Sequence, residues 1–258
     1  MARFSFVLPA MVGLAVSVST IALAAEGGNW AGAYGGLHVG YGFSSNDNVR
    51  TSGQAAGNIA NVASGARPAS VSVDPDGLLG GVALGFNVQS DNFVYGVEAD
   101  IDLTDLEDSQ NVNTINPAST PPGAALINSF KQDLEYLGTL RLRLGVAVNG
   151  GNTLVYATGG LAYGGVKVSG RFSGALPANV TQFTGSNDET ETGYVIGAGL
   201  EHAIDANLRL TGSYMYYDLG SNTVNVAAVP GSGAGGTGYN SKFDTSGHLL
   251  RAGVGYKF

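Results

Sequence analysis

Charged residues recur at every second position in two stretches of the chain. Glu98, Asp100 and Asp102 alternate with apolar residues in "FVYGVEADIDL", and Arg141 and Arg143 alternate with leucines in "LEYLGTLRLRLGVAV". Guanidinium and carboxylate groups form strong, often bidentate hydrogen bonds, so these two sets are able to pair across an enclosed space. Three more charges belong to the same predicted network: Glu201, Arg209 and Arg251.

Nucleophilic chemistry has one candidate in the sequence. Ser246 stands two residues before His248, and enzymes often use a serine activated by a histidine and an acid as the nucleophile. No acid lies on that short stretch, and Asp244 is expected to belong to a loop. We therefore expect no catalytic, cofactor-binding or metal-binding residue and no enzyme activity.

The composition indicates a membrane protein without spanning helices. The chain has 258 residues, of which 44% are hydrophobic and only 12% are charged. Soluble proteins carry about 25% charged residues. Beyond residue 25 no uncharged apolar run approaches the roughly 20 residues of a spanning helix. A closed β-barrel is the other structure that satisfies all backbone polar groups in lipid.

The N-terminus has the features of an export signal. Arg3 precedes a long uncharged stretch, and Ala22 and Ala24 have the small-x-small spacing of a cleavage site. We predict a signal peptide at 1–24 and an outer-membrane β-barrel domain at 25–258. Loss of Arg3 leaves 11 basic and 20 acidic residues, a net charge of −9, which disfavours nucleic acid as a partner. The absence of cysteine rules out disulfides.

Apolar residues alternate with polar ones through most of the chain, which indicates β-strands with one apolar face. In the stretch from 134 to 148, Leu134 and Tyr136 are expected on the apolar face with Leu140 and Leu142. The stretch at 153–172 changes parity midway, which suggests a bulge near 159–160. We predict eight strands at 30–44, 76–89, 93–106, 129–148, 153–172, 190–204, 207–220 and 243–258.

Long and short connections alternate strictly between these strands. The predicted short turns are 89–92, 149–152 and 205–207, rich in the Asn, Asp and Gly that hairpins prefer. The predicted long loops are 45–75, 107–128, 173–189 and 221–242. This order is typical of an eight-stranded antiparallel up-and-down transmembrane barrel, in which the apolar face meets lipid and the interior is polar. A soluble lipocalin-like barrel, the alternative, would bury its apolar face.

The chain ends in "RAGVGYKF", which resembles the C-terminal assembly signal of bacterial outer-membrane proteins. That resemblance implies that the barrel-assembly machinery reads Arg251, Gly253, Tyr256 and Phe258. The stretches "NWAGAYGGLHVGYGF" and "YATGGLAYGGV" resemble small alphaproteobacterial outer-membrane proteins of the opacity-like, porin family. This resemblance implies an OmpA-type eight-stranded barrel without a peptidoglycan-binding domain.

A structural role in the envelope, with surface contact, is the function that this resemblance implies. Eight strands leave room only for side chains, so a closed interior filled by paired charges is favoured over a gate or ion path. We expect contacts with outer-membrane lipid and lipopolysaccharide, and no cofactor. Two alternatives stay open: a small-solute porin, and a binder of hemin or a host-surface ligand through its loops. Tyr239 and His248 are the candidate iron ligands for hemin.

Overall fold

The computed structural model describes residues 28–44, 47–117, 123–174 and 180–258. The predicted signal peptide, 1–24, lies outside the described residues. Within them the chain forms ten strands and one helix: β1 (Gly32–Phe43), β2 (Asn48–Gly53), α1 (Ala56–Ala63), β3 (Ser70–Ser72), β4 (Asp76–Ser90), β5 (Phe93–Asn116), β6 (Ala124–Val148), β7 (Thr153–Gly174), β8 (Val180–Ala203), β9 (Leu208–Ala228) and β10 (Gly238–Lys257).

All ten strands belong to one antiparallel sheet that closes on itself. The pairing order runs β1-β4-β5-β6-β7-β8-β9-β10, and β10 pairs again with β1. The short strand β2 pairs with β10, and β3 pairs with the other edge of β2. The predicted all-β antiparallel fold is therefore confirmed. The described sheet has ten strands rather than eight, because the predicted loop 45–75 contains β2 and β3.

Short turns connect the strands at one end of the sheet, which we call the turn end; the opposite end is the loop end. At the turn after β6, Asn149, Gly150 and Gly151 have φ values of 55°, 65° and 88°. Asn and Gly enter this left-handed region at low cost, which explains why the chain reverses there. The C-terminal Phe258 also lies at the turn end, where its N–H donates to the carbonyl of Ala33.

Several strands continue well past their predicted limits at the loop end. β5 reaches Asn116 instead of 106, and β6 begins at Ala124 instead of 129. β8, β9 and β10 also extend by five to ten residues into stretches that were predicted to be loops. The predicted loops 107–128, 173–189 and 221–242 are thus largely strand. Their Ser-, Asn- and Gly-rich composition hid this, because these strand segments have polar outer faces.

The apolar face changes sides between the two ends of the barrel. On β7, Val155 and Leu161 near the turn end point outward and are exposed, whereas Val166, Val168 and Phe172 near the loop end point inward and are buried. β7 pairs with β8 without a register shift from Thr153 to Phe172. The suggested bulge near 159–160 is therefore wrong. The strand keeps its parity, and the apolar residues move from the outer to the inner face.

A β-bulge in β6 separates the two zones on the neighbouring strand. Leu134 pairs with Val166 and Tyr136 with Gly165, which leaves Glu135 as the extra residue. A bulge adds one residue to one strand and so reverses the alternation of side chains across it. Leu134 is consequently buried inside the barrel, and its predicted place on the outer apolar face with Leu140 is wrong.

Residues 47–75, which we call the cap segment, fold against the loop end. Asn58 of α1 is fully buried, accepts from the Thr237 N–H and donates to the carbonyl of Gly235. Arg67 is buried and donates to Asn128 and Gln182 on β6 and β8. Burial lowers the pKa of Arg67, which has only neutral hydrogen-bond partners here. Among the described residues no helix is both long and apolar enough to cross a membrane.

Two neighbouring positions on β7 test whether the apolar residues of this strand lie on the inner face near the loop end. The chain has no native cysteine, so Val168→Cys and Ser169→Cys each introduce a single thiol. We expect Ser169→Cys to react with a polar maleimide on the order of tenfold faster in the refolded barrel, because buried thiols are inert. Both variants should react at equal rates once unfolded, which is the internal control. Faster labelling of Val168→Cys would show that β7 has the opposite orientation.

Candidate functional site

The charged residues predicted to face inward are brought together by the pairing of β5 with β6. Glu98 lies directly opposite Arg141 in this pair, and Asp100 lies opposite Thr139. Residues two apart on a strand share a face, so Arg143 points to the same side as Arg141. The charge layer, as we call it, consists of eight buried residues: Glu98, Asp100, Asp102, Arg141, Arg143, Glu201, Arg209 and Arg251.

Two arginines of β6 connect three carboxylates. Arg141 Nη2 lies 2.5 Å from Glu98 Oε1 and 2.5 Å from Asp100 Oδ2. Arg143 Nη1 lies 2.9 Å from Glu98 Oε2, and its Nη2 donates to Glu201 on β8. Each arginine therefore forms ion pairs with two carboxylates, and the ion pairs extend across the barrel interior.

The remaining arginines complete the layer. Arg251 of β10 donates to Asp100 at 3.1 Å and to Asp102. Arg209 of β9 approaches Glu201 at 3.8 Å between Nη1 and Oε2. Every residue of the predicted set thus lies in one connected network with four carboxylates and four guanidiniums. Such balance is what a charged group needs inside a barrel, because an unpaired buried charge is strongly unfavourable.

Two further residues on β1 join the charge layer, although the predicted set does not include them. The Tyr34 hydroxyl donates to Glu98 Oε2 at 2.7 Å, and Tyr34 also contacts Arg143. His38 Nε2 lies 2.6 Å from Asp102 Oδ1. The sequence did indicate the inward orientation of both residues, because Tyr34 and His38 fall on the strand face opposite to the apolar Leu37 and Val39. Pairing of β1 with β4 and β10 then places them against β5.

Trp30 lies in the interior below the charge layer, at the turn end. Its indole Nε1 donates to the carbonyl of Gly151 at 2.8 Å, and its backbone N–H donates to Gln89. The Arg209 guanidinium lies 4.5 Å from the centroid of the indole ring. Trp30 is 1% exposed and packs in a small apolar cluster with Leu154. No pattern in the sequence marked Trp30 for this position.

Above the charge layer, the interior is filled by the loop-end core. Aromatic rings at its centre pack edge to face, with Phe172 and Tyr239 at 4.9 Å and Phe183 and Tyr239 at 5.0 Å between centroids. Leu106, Leu134 and further aliphatic side chains fill the space between the rings and the charge layer. Trp30, the charge layer and the loop-end core therefore occupy the interior as three successive layers. Among the charges a cavity of about 50 Å³ is left.

The structure does not assemble the alternative sites that the sequence suggested. The Ser246 hydroxyl donates to Asp47 at 2.9 Å, and His248 Nδ1 shares a hydrogen bond with Tyr214 at 2.7 Å. Ser246 is thus bonded to an acid but not to the histidine. Tyr239 is buried in the loop-end core while His248 lies on the outer face, so the pair proposed for hemin iron is not brought together. Among the described residues no group of three His, Asp or Glu has metal-binding geometry.

The residues of the predicted assembly signal divide between the two faces of β10. Arg251 and Gly253 face the interior, whereas Tyr256 and Phe258 are exposed outside. The two aromatic rings contact each other at 5.7 Å between centroids. Their place at the turn end is compatible with an assembly signal, and that role stays a prediction.

A closed antiparallel sheet with apolar side chains outside and paired charges inside is the architecture of outer-membrane β-barrels. Comparisons with known proteins agree. Residues 11–258 match the family model "Outer membrane protein beta-barrel domain". The chain is 32% identical to the 31 kDa outer-membrane immunogenic protein of Brucella melitensis over 241 residues, which cover 89% of this chain and 84% of the relative.

Two more comparisons extend this result. The 22 kDa outer membrane protein of Rhizobium leguminosarum is 28% identical over 182 residues, which cover 70% of this chain and 67% of that protein. The crystal structure of OprG from Pseudomonas aeruginosa has a TM-score of 0.54 at 16% identity, covering 88% of this chain and 96% of that chain, and so supports the fold alone. The chain belongs to the outer-membrane β-barrel family, as the sequence resemblance indicated, and its place is the bacterial outer membrane.

The charge layer can be tested by removing one of its members. We expect Arg143→Met to lower the free energy of unfolding by about 3–5 kcal/mol, since it leaves Glu201 and Glu98 short of a buried partner. Adding Glu201→Gln should recover part of this loss by removing an orphaned charge. Urea unfolding in a fixed detergent, followed by fluorescence of the single Trp30, measures both.

Lys131→Met is the matched control for Arg143→Met. Lys131 also pairs with a carboxylate, Glu107 at 2.7 Å, but on the exposed outer face at the loop end. We expect its loss to change stability by less than about 1 kcal/mol, as for other exposed ion pairs. Equal effects of Arg143→Met and Lys131→Met would contradict a buried charge layer.

Proposed function

We propose that the closed ring formed by β1 and β4 to β10 is an eight-stranded transmembrane barrel. Its turn end faces the periplasm and its loop end faces outward. The exposed apolar side chains support this, since Leu37, Leu84, Leu142 and Val254 all lie on the outer face near the turn end. A tilted strand needs about 9–11 residues to cross a bilayer, and the apolar stretches of these strands are of that length.

Aromatic side chains mark both borders of this apolar zone. At the turn end the exposed rings are Phe93, Tyr95, Tyr256 and Phe258. Toward the loop end a second row contains Tyr41, Tyr136, Tyr163, Tyr194 and Tyr214, with Tyr136 and Tyr163 in edge contact. Aromatic girdles at both interfaces are typical of outer-membrane barrels. They support placing lipid, and lipopolysaccharide in the outer leaflet, against the band between the two rows.

We propose a structural envelope role for this barrel, with an interior closed to solutes. One observation carries the proposal: Trp30, the charge layer and the loop-end core follow one another through the interior. A channel needs a continuous water-filled path, and small barrels are filled by side chains. The engagement of Ser246 by Asp47, and not by His248, supports a role without catalysis.

Surface contact is the second part of the proposed role. β5 and β6 are 24 and 25 residues long, so roughly half of each strand lies beyond the upper aromatic row. The outer face of this half is polar and carries exposed ion pairs such as that of Lys131 with Glu107. The Brucella relatives of 25 and 31 kDa are named immunogenic. A comparable exposed extension would present this chain at the cell surface.

Conductance measurements test the closed interior. We expect purified protein in planar bilayers to show no stable conductance steps. Trp30, the charge layer and the loop-end core would block the passage of ions through the interior. The variant Arg141→Ala with Arg143→Ala should be less stable yet remain silent, since Trp30 and the loop-end core still block it. An open porin inserted under the same conditions is the positive control. Regular steps from the wild-type protein would favour the small-solute porin instead.

Assembly tests the proposed role of the C-terminal aromatic. Deletion of Phe258 should lower the yield of heat-modifiable barrel in the outer membrane while export continues, because the insertion machinery would lose its recognition residue. Phe93→Ala is the matched control, as Phe93 is also an exposed aromatic at the turn end. If both changes reduced the yield equally, Phe258 would act only as an interfacial anchor.

A further inference from the structure

The cavity of about 50 Å³ within the charge layer has an unusual distribution of unsatisfied polar atoms. Four buried guanidinium nitrogens in the layer have no hydrogen-bond partner: Arg141 Nε, Arg143 Nε, Arg251 Nε and Arg209 Nη1. Buried donors without partners are rare and call for an explanation such as an unseen water or ion. Three of these arginines line the cavity, namely Arg141, Arg209 and Arg251.

The carboxylates of the charge layer are, by contrast, almost fully satisfied. Seven of their eight oxygens accept a hydrogen bond from an arginine, Tyr34, Thr139 or His38. The eighth, Glu201 Oε2, lies 3.8 Å from Arg209 Nη1. The buried atoms of the layer that lack any partner are therefore all donors. A group that fills the cavity has to accept hydrogen bonds.

The charge of the cavity wall also favours a ligand that accepts hydrogen bonds. Arg141, Arg209 and Arg251 line it together with Glu98 and Glu201, so guanidiniums exceed carboxylates by three to two. The hydroxyls of Thr211 and Ser213 also line it and are able to donate. A water needs about 10–15 Å³ of such space, so the cavity has room for an ion somewhat larger than water.

We propose that this cavity binds a small inorganic anion of halide size, held by the unpartnered donors of Arg141, Arg209 and Arg251. The site goes beyond the proposed structural role, because it adds a ligand to the interior of the barrel. Trp30 and the loop-end core close both ends of the interior. The anion lies between them, and it completes the hydrogen bonding of the charge layer.

Bromide is the probe for the test, because its anomalous scattering distinguishes it from water. The protein is refolded either in sodium bromide or in sodium gluconate of equal ionic strength, so that charge screening is the same. Gluconate is too large for the cavity. We expect an anomalous peak inside the cavity in crystals of the bromide form. We also expect its melting temperature to be higher by about 2–4 °C, since a ligand that binds only the folded state stabilises it.

Arg209→Gln is the variant for this test, since Arg209 has the weakest ion pair of the layer and an unpartnered Nη1. It should lose the bromide-dependent rise in melting temperature. Arg171→Gln removes the same charge from the exposed outer face of β7 and should keep the full rise.

Three outcomes of the crystal experiment are informative. A cavity peak, with loss of the bromide effect in Arg209→Gln alone, supports the site. Density without anomalous signal in the cavity would assign the unpartnered donors to water and overturn the proposal. Peaks at the protein surface only would mean an adventitious ion only, and would overturn it as well. The wild-type crystal decides between these outcomes even if Arg209→Gln fails to fold.

Discussion

The pairing of β1 with β10 is the contact on which the rest of the structure depends. Ten consecutive residue pairs, from Tyr34 with Lys257 to Phe43 with His248, join the first and the last long strand. This pairing removes the two free edges that an open sheet would expose. It also creates an inside and an outside. Only an enclosed interior is able to bury four arginines against four carboxylates while leucines on the same strands remain exposed.

The distribution of polar and apolar side chains between the inner and outer faces of the strands reverses along their length. Near the turn end, charges lie inside and apolar side chains lie outside, whereas near the loop end Phe130 and Phe172 lie inside and Lys131 lies outside. The proposed membrane position explains the difference, because the surroundings change from lipid to water along the barrel axis. In lipid the polar groups have to pair within the interior. In water the hydrophobic effect drives the apolar side chains into it.

The proposed closed interior depends on the way these two zones meet. The charge layer pairs its carboxylates with its arginines, the loop-end core fills the interior above it, and Trp30 lies below it. The cap segment adds a further constraint, since Asn58 and Arg67 bond to the connection after β9 and to the walls of β6 and β8. The cap segment is thereby bonded to the loop end of the barrel, which suits the proposed surface contact.

The sequence alone was sufficient for the antiparallel barrel class, the long strands that form the ring and the residues of the charge layer, because side-chain alternation within a strand is a local property. It was insufficient for the strand limits at the loop end, the orientation of Leu134 and the role of Trp30. Polar composition there resembles a loop, and a bulge at Glu135 leaves no local signal. Those features depend on which strands become neighbours and on whether lipid or water lies outside, and only the closed tertiary structure decides both.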